Sequence, residues 1–269
     1  MCIRDRDETG SYDGTASNVD FNVQGKYGFA GKFNGSSSKI TRESLFDNTQ
    51  VKMSASVWIK ATDYSPSSNI AILDIGDNDT VLAQNRIFIS GTSPHNIFVS
   101  VNGGDGGFAQ ASQSFTDNSW NHIVATWDVT GGGVTNGIKI YLNGSLAGQG
   151  NSTQGFNSAR DLALGVNEDQ SVGDRHHFSG SIDQVRIFNK AISAAEVTKL
   201  YNEIQCADTI NTPESYFNTK LWTGDGNARS ITGFGFDPDF VWIKKRANDT
   251  KDHRLFDTVR AVSYTHLTL

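Results

Sequence analysis

The stretch SGSIDQVRIFNKAISAAEVTKLYN, residues 179–202, reads as a closing β-strand followed by a short capped helix. From Ile182 to Phe188 the side chains alternate, so Asp183, Val185 and Ile187 are expected on one face and Ile182, Gln184, Arg186 and Phe188 on the other. Ser193 and Glu196 stand at the spacing of a capping box, in which each satisfies an orphan backbone donor of the first helical turn. Val197, Leu200, Tyr201 and Ile204 follow at helical spacing and make one apolar stripe.

Working outward, the body of the chain repeats short apolar runs between Asn, Asp, Ser and Gly clusters. Ser54 to Lys60 alternates Ala55, Val57 and Ile59 against Ser56, Trp58 and Lys60. Ile70 to Ile75, Arg86 to Ser90 and Asn96 to Val101 are runs rich in isoleucine, valine and phenylalanine. Asn118 to Val129 places Ile123, Ala125, Trp127 and Val129 on one face. Gly137 to Gly144 does the same with Ile138, Ile140 and Leu142, then turns at Asn143-Gly144, a type I′ hairpin signal. Asp161 to Val166 leads back to the closing strand. With 27 glycines and 4 prolines in 269 residues, this texture is all-β with many turns.

Gly180, Ile182, Asp183, Val185, Arg186, Ile187, Phe188, Leu200 and Tyr201 resemble the C-terminal signature of laminin-G-like jelly rolls of the concanavalin A-like lectin/glucanase superfamily. Phe33-Asn34-Gly35, Trp120-Asn121-His122 and Tyr141 to Gly144 are similar to the family's other landmarks and stand in its order. The resemblance implies a two-sheet antiparallel jelly-roll sandwich with one short C-terminal helix. Family members carry one more strand before Gly28 to Gly35, and the resemblance implies that this strand has been lost here.

Both termini resemble translated sequencing adapter. Met1 to Asp5 can be written ATG TGT ATA AGA GAC, and the reverse complement spells Val-Ser-Tyr-Thr-His, which is Val262 to His266. The expectation is a scar at 1–6, a sandwich over 7–203, a linker over 204–212, a partial second β unit over 213–260 and a scar at 261–269. It also implies a natural protein that is longer in both directions. In the second unit, Leu221 to Gly226, Ile231 to Gly233 and Pro238 to Lys244 resemble a small β domain of bacteriophage virion and tail proteins.

The formal charge of −6 argues against a nucleic-acid backbone as partner. No apolar run approaches the ~18 residues of a membrane-spanning helix. With Cys2 assigned to the adapter, Cys206 is the only native thiol and no internal disulfide is expected.

Asp183 is the sharpest candidate for chemistry, because a buried carboxylate must be paired, hydrogen-bonded or metal-bound. Two readings stand open. The resemblance implies a structural Ca²⁺ held by Asp183 with carbonyl oxygens around Asn34, and calcium accepts such mixed oxygen ligands. The alternative is acceptance of backbone N–H groups or an indole N–H. Asp77, Asn78 and Asp79 form an acidic loop; Asn167, Arg175, His176 and His177 form a basic one. Either loop set is a sugar-binding candidate or ordinary turn decoration. Trp58, on the polar face of its strand, is either sheet-surface packing or a sugar-stacking platform.

The enzymatic branch of the superfamily carries a Glu-x-Asp-x-(x)-Glu strand, because retaining glycosidases need two carboxylates about 5 Å apart. The six glutamates here, at positions 8, 43, 168, 196, 203 and 214, are nowhere closer than seven residues apart, so no catalytic strand is expected. The functional expectation is a non-catalytic module binding a glycan or cell-surface polymer, in a virion or tail-fibre protein alongside other virion subunits. Its setting would be the virion or the extracellular space. The alternatives are an accessory carbohydrate-binding module of a secreted bacterial enzyme, or a structural spacer.

Overall fold

The alternating runs become strands, and the strands become two facing sheets. The computed structural model describes residues 13–44, 50–76, 85–156, 161–167, 175–203, 217–228, 230–244, 254–257 and 262–264. The chain divides into two units, Met1–Cys206 and Ala207–Leu269.

In the first unit, one seven-stranded sheet contains β1 (Thr15–Ser17), β4 (Lys39–Arg42), β13 (Asp161–Leu164), β6 (Ile70–Gly76), β7 (Asn85–Ile89), β8 (Ile97–Ser100) and β9 (Phe108–Ala111), in that spatial order. The second orders β12 (Ser145–Ser152), β11 (Val134–Leu142), β10 (Asn121–Asp128), β5 (Lys52–Ala61), β14 (Ser179–Phe188), β3 (Phe29–Asn34) and β2 (Asp20–Gln24). Every strand pair is antiparallel. This is the expected jelly-roll sandwich. The stretch before Phe29 supplies β1 and β2, and β2 pairs with β3.

The core fills the space between the sheets with one residue in two from each strand. Ala55, Val57, Ile59, Ile123, Ala125, Trp127, Ile138 and Ile140 meet Leu73, Ile75, Ile87, Ile89, Ile97 and Val99, all fully buried. Trp127 also donates its indole N–H to the Ser100 carbonyl, 3.0 Å away across the sandwich, so its one polar atom is satisfied. Asn143 and Gly144 both take positive φ, 48° and 83°, as a type I′ turn requires.

Helix α1 (Ala194–Tyr201) starts at a reciprocal capping box between Ser193 and Glu196. It lies on the outer face of the second sheet, where Val197 and Leu200 pack with Val124, Tyr141, Ile192 and Phe188. Ile204, the last expected residue of its stripe, lies outside the described residues.

Along one flank the sandwich closes on itself. At Gly148 and Gly150 of β12, a Cβ would overlap the carbonyl oxygens of Gln110 and Phe108 in β9. Only glycine lets the two backbones approach this closely.

The expected alternation of the closing strand fails at one point. The register with β5 shifts between Asp183 and Arg186, and Gln184 adopts φ 49°. This is a bulge: one extra residue, after which the faces exchange. Ile182 is in the core and Val185 and Ile187 pack against it, whereas Asp183, opposite Trp58, turns to the outer face. The expectation that Asp183 shares a face with Val185 and Ile187 is therefore corrected.

The second unit has a three-stranded antiparallel sheet of β15 (Phe240–Ile243), β16 (Arg254–Asp257) and β17 (Val262–Tyr264). The last strand falls within the stretch expected to be adapter-derived; residues 1–6 and the linker 204–212 lie outside the described residues.

Candidate functional site

After β13, the chain turns at Gly165 and reaches Asn167. There Asn167 and Arg175 exchange two backbone hydrogen bonds, each 2.9 Å, which fixes these two positions side by side. The Asn167 side chain donates to Asp74 Oδ2 at 2.8 Å. Arg86 Nε lies 3.3 Å from the same oxygen, as expected from the direct pairing of Asp74 with Arg86 across β6 and β7. The His176 carbonyl accepts from the Ala71 N–H at 2.8 Å, and the Phe178 N–H closes back on the Gly165 carbonyl.

The result is a polar cluster on the outer face of the first sheet: Asp74, Arg86, Asn167, Arg175 and His176. Burial holds the His176 imidazole below its ordinary pKa, reinforced by the charges of Arg175, Arg86 and His177. At neutral pH it is uncharged and offers one donor and one acceptor. Of the sugar-binding candidates, Asn167, Arg175 and His176 come together and His177 follows them in the chain. Asp77, Asn78 and Asp79 lie outside the described residues. Asp74 and Arg86 were not singled out from the sequence. A carboxylate inside the apolar run Ile70 to Ile75 was the signal that could have found them, because such a group demands a buried partner.

Asp183 and Asn34 do not form a common site. Asn34 pairs with Ser179, four residues before Asp183 along β14, a separation of roughly 13 Å at strand rise. Asn34 Oδ1 accepts the backbone N–H groups of Ser36, Ser37 and Ser38 at 2.9–3.1 Å, so it caps its own turn. Asp183 is fully buried beneath the turn that joins β2 to β3. Its carboxylate accepts the N–H groups of Tyr27 (3.0 Å) and Gln184 (2.7 Å). Burial pushes its carboxyl up, while hydrogen bonds from the Tyr27, Gln184 and Lys26 backbone and the Gln184 side chain oppose the shift. These residues do not fit a shared calcium: the oxygens already face N–H donors, and the two side chains are too far apart for one ion. Among the described residues, no group of three or more His, Cys, Asp or Glu is placed to hold a metal.

Trp58 is on the outer face as expected, but it is covered, with only 4% of its surface exposed. His122 stacks on it at 4.9 Å and Tyr201 at 5.7 Å, Tyr27 meets it edge-on, and Lys26 Nζ lies 4.4 Å from its ring centroid. It anchors α1 and is not an open stacking platform.

Comparison with known proteins places this geometry. Residues 33–198 match the family described as the concanavalin A-like lectin/glucanases superfamily, and residues 212–268 match a domain of unknown function (DUF7483). The mouse sushi, von Willebrand factor type A, EGF and pentraxin domain-containing protein 1 is 24% identical over 198 residues, 68% of this chain. The chain spans 5% of that relative's length. Among solved structures, domain 4 of AbnA, an extracellular GH43 arabinanase from Geobacillus stearothermophilus in complex with arabinotriose, is similar with TM-score 0.55 at 21% identity. That match covers 74% of this chain and 93% of the domain. A botulinum neurotoxin type C structure, described with cell entry dependent upon two ganglioside molecules, gives TM-score 0.53 at 18% identity, covering 72% and 47% of the two chains. At these identities the likeness to solved structures is one of fold. With its two seven-stranded sheets and a family match across 33–198, the chain belongs to the concanavalin A-like lectin/glucanases superfamily.

Proposed function

We propose that the sandwich is a non-catalytic module that binds a glycan or cell-surface polymer. The observation that carries this reading is the cluster of Asp74, Arg86, Asn167, Arg175 and His176, whose planar groups are held in place by the Asn167–Arg175 bridge. Fixed planar donors and acceptors suit sugar hydroxyls, since little side-chain freedom is lost on binding. The arabinotriose complex and the ganglioside interaction belong to proteins of similar fold and support the same reading. Asp74 is engaged by an amide and a guanidinium, an arrangement that suits orientation better than proton transfer.

The finer setting is adhesion by a virion or tail-fibre protein, at a virion surface or outside a cell, with other virion subunits as neighbours. It rests on the phage-like pattern of Leu221 to Gly226 and Pro238 to Lys244. An accessory module of a secreted bacterial enzyme is the second reading, favoured by the fold match to domain 4 of an extracellular arabinanase.

A glycan array tests the binding function. Wild-type protein should give hits that Arg175→Ala and His176→Ala lose while retaining the wild-type melting transition. A silent array, or hits indifferent to both substitutions, would leave a spacer role instead.

A further inference from the structure

On the outer face of the second sheet, away from the polar cluster, β10, β5 and β14 set His122, Trp58 and Asp183 in one cross-strand row. The His122 and Trp58 rings stand side by side, 4.9 Å apart, which is the strand spacing. Tyr201, from the last turn of α1, lies over both: its ring is 5.7 Å from Trp58 and 6.0 Å from His122, tilted by 16° and 24°. Just beyond the helix, Glu203 is held twice. Its backbone carbonyl accepts the Tyr27 hydroxyl at 2.6 Å, and its carboxylate pairs with Arg186.

Beneath this cover His122 is badly placed to carry a charge. Its Nε2 meets the Ser56 hydroxyl, but its Nδ1 is buried with no hydrogen-bond partner among the described residues. A protonated imidazole donates from both nitrogens, so the added proton would be a buried, unpaired donor as well as an ion. The charged groups on this face do not offset it. Lys60 of β5, Arg186 of β14 and Lys26 of the β2–β3 turn are cationic. Of the two carboxylates, Glu203 is engaged by Arg186, and Asp183 stands on the far side of Trp58, accepting N–H groups. The remaining titratable neighbours, Tyr27, Tyr141 and Tyr201, are phenols and supply no anion in acid. Moving Tyr201 aside provides what is missing, because water then reaches Nδ1.

We infer that Tyr201 to Glu203 form an acid-released strap: a proton on His122 lifts the end of α1 off Trp58 while the two sheets remain paired. Trp58 and Ser56 belong to a strand with neighbours on both sides, whereas Tyr201 closes an eight-residue helix. A helix end opens at far lower cost than a strand in the middle of a sheet. Burial depresses the His122 pKa to about 4 under the closed strap, against about 6.5 for a solvated imidazole. The open form therefore binds the proton more tightly. As the pH falls between those values, the closed-to-open ratio falls by up to about tenfold per pH unit.

Fluorine NMR of the full chain labelled with 3-fluorotyrosine tests it, with the Tyr201 signal assigned by its loss in Tyr201→Phe and the sheets followed by circular dichroism. As the pH falls from 7 to 4.5, the Tyr201 signal should move towards its position in the urea-unfolded chain while the dichroism stays native. In His122→Gln it should hold its closed position. Tyr27→Phe, which loses only the hydroxyl tie to Glu203, should show about two- to tenfold more open strap at a given pH. A Tyr201 signal that stays closed until the dichroism collapses would overturn the strap. So would a signal that moves alike in wild type and His122→Gln, or one indifferent to Tyr27→Phe.

Discussion

At His122 burial sets the chemistry. The residue is 1% exposed, its Nε2 meets Ser56 Oγ at 2.8 Å, and its ring stacks against both Trp58 and Tyr201, which also touch each other. Burial, with a lesser contribution from Arg186, lowers its pKa to about 4. In the unfolded chain it would titrate near 6.5. Between these values the unfolded state binds the extra proton, so stability is fully present above about pH 6.5 and is lost as the pH falls towards 4. The loss should amount to about 3 kcal/mol. Thermal melts from pH 7 to 4 should show His122→Gln with a flatter profile than wild type; parallel profiles would contradict the assignment.

Asp183 makes the opposite argument, because what matters there is acceptance. Replacing it by alanine strands the N–H groups of Tyr27 and Gln184 in a buried place, and should cost about 2–4 kcal/mol in urea unfolding. Added Ca²⁺ should leave the wild-type melting temperature unchanged, since Asp183 and Asn34 serve different turns. The need for a partner at Asp183 was legible in the sequence. Its face was not, because a bulge at Gln184 is invisible to a strict count of two.

At the scale of elements, the signals with a local mechanism were readable. The capping box at Ser193, the type I′ turn at Asn143-Gly144 and the apolar faces of β5, β10 and β11 all follow from spacing alone. Ser193→Ala should remove about 1 kcal/mol, measured as a drop in the urea midpoint. By contrast, β9 and β12 are too short or too polar to announce themselves. Leu146 to Gly150 carries no strand signature, because its glycines are chosen for the neighbour they touch, not for strand propensity. Gly150→Ala should therefore cost about 1–3 kcal/mol by forcing β12 off β9, despite improving local propensity.

For the whole molecule, the sandwich and the proposed binding surface both belong to the first unit. Every member of the main core lies between Phe33 and Ile182. A chain ending after Cys206 should show an unchanged melting transition in calorimetry and unchanged array hits; loss of either would mean that residues 207–269 complete the sandwich. The polar cluster illustrates why the candidate site was harder to read than the fold. Asp74 and Arg86 come from one hairpin and Asn167, Arg175 and His176 from a return crossing some ninety positions later, a proximity that no local pattern encodes.

The glycine seam between β12 and β9 has a consequence beyond stability. An exposed strand border is a template on which another molecule can add itself. With this border tucked against its opposite number, two such modules lying side by side can touch along that flank without zippering into aggregates.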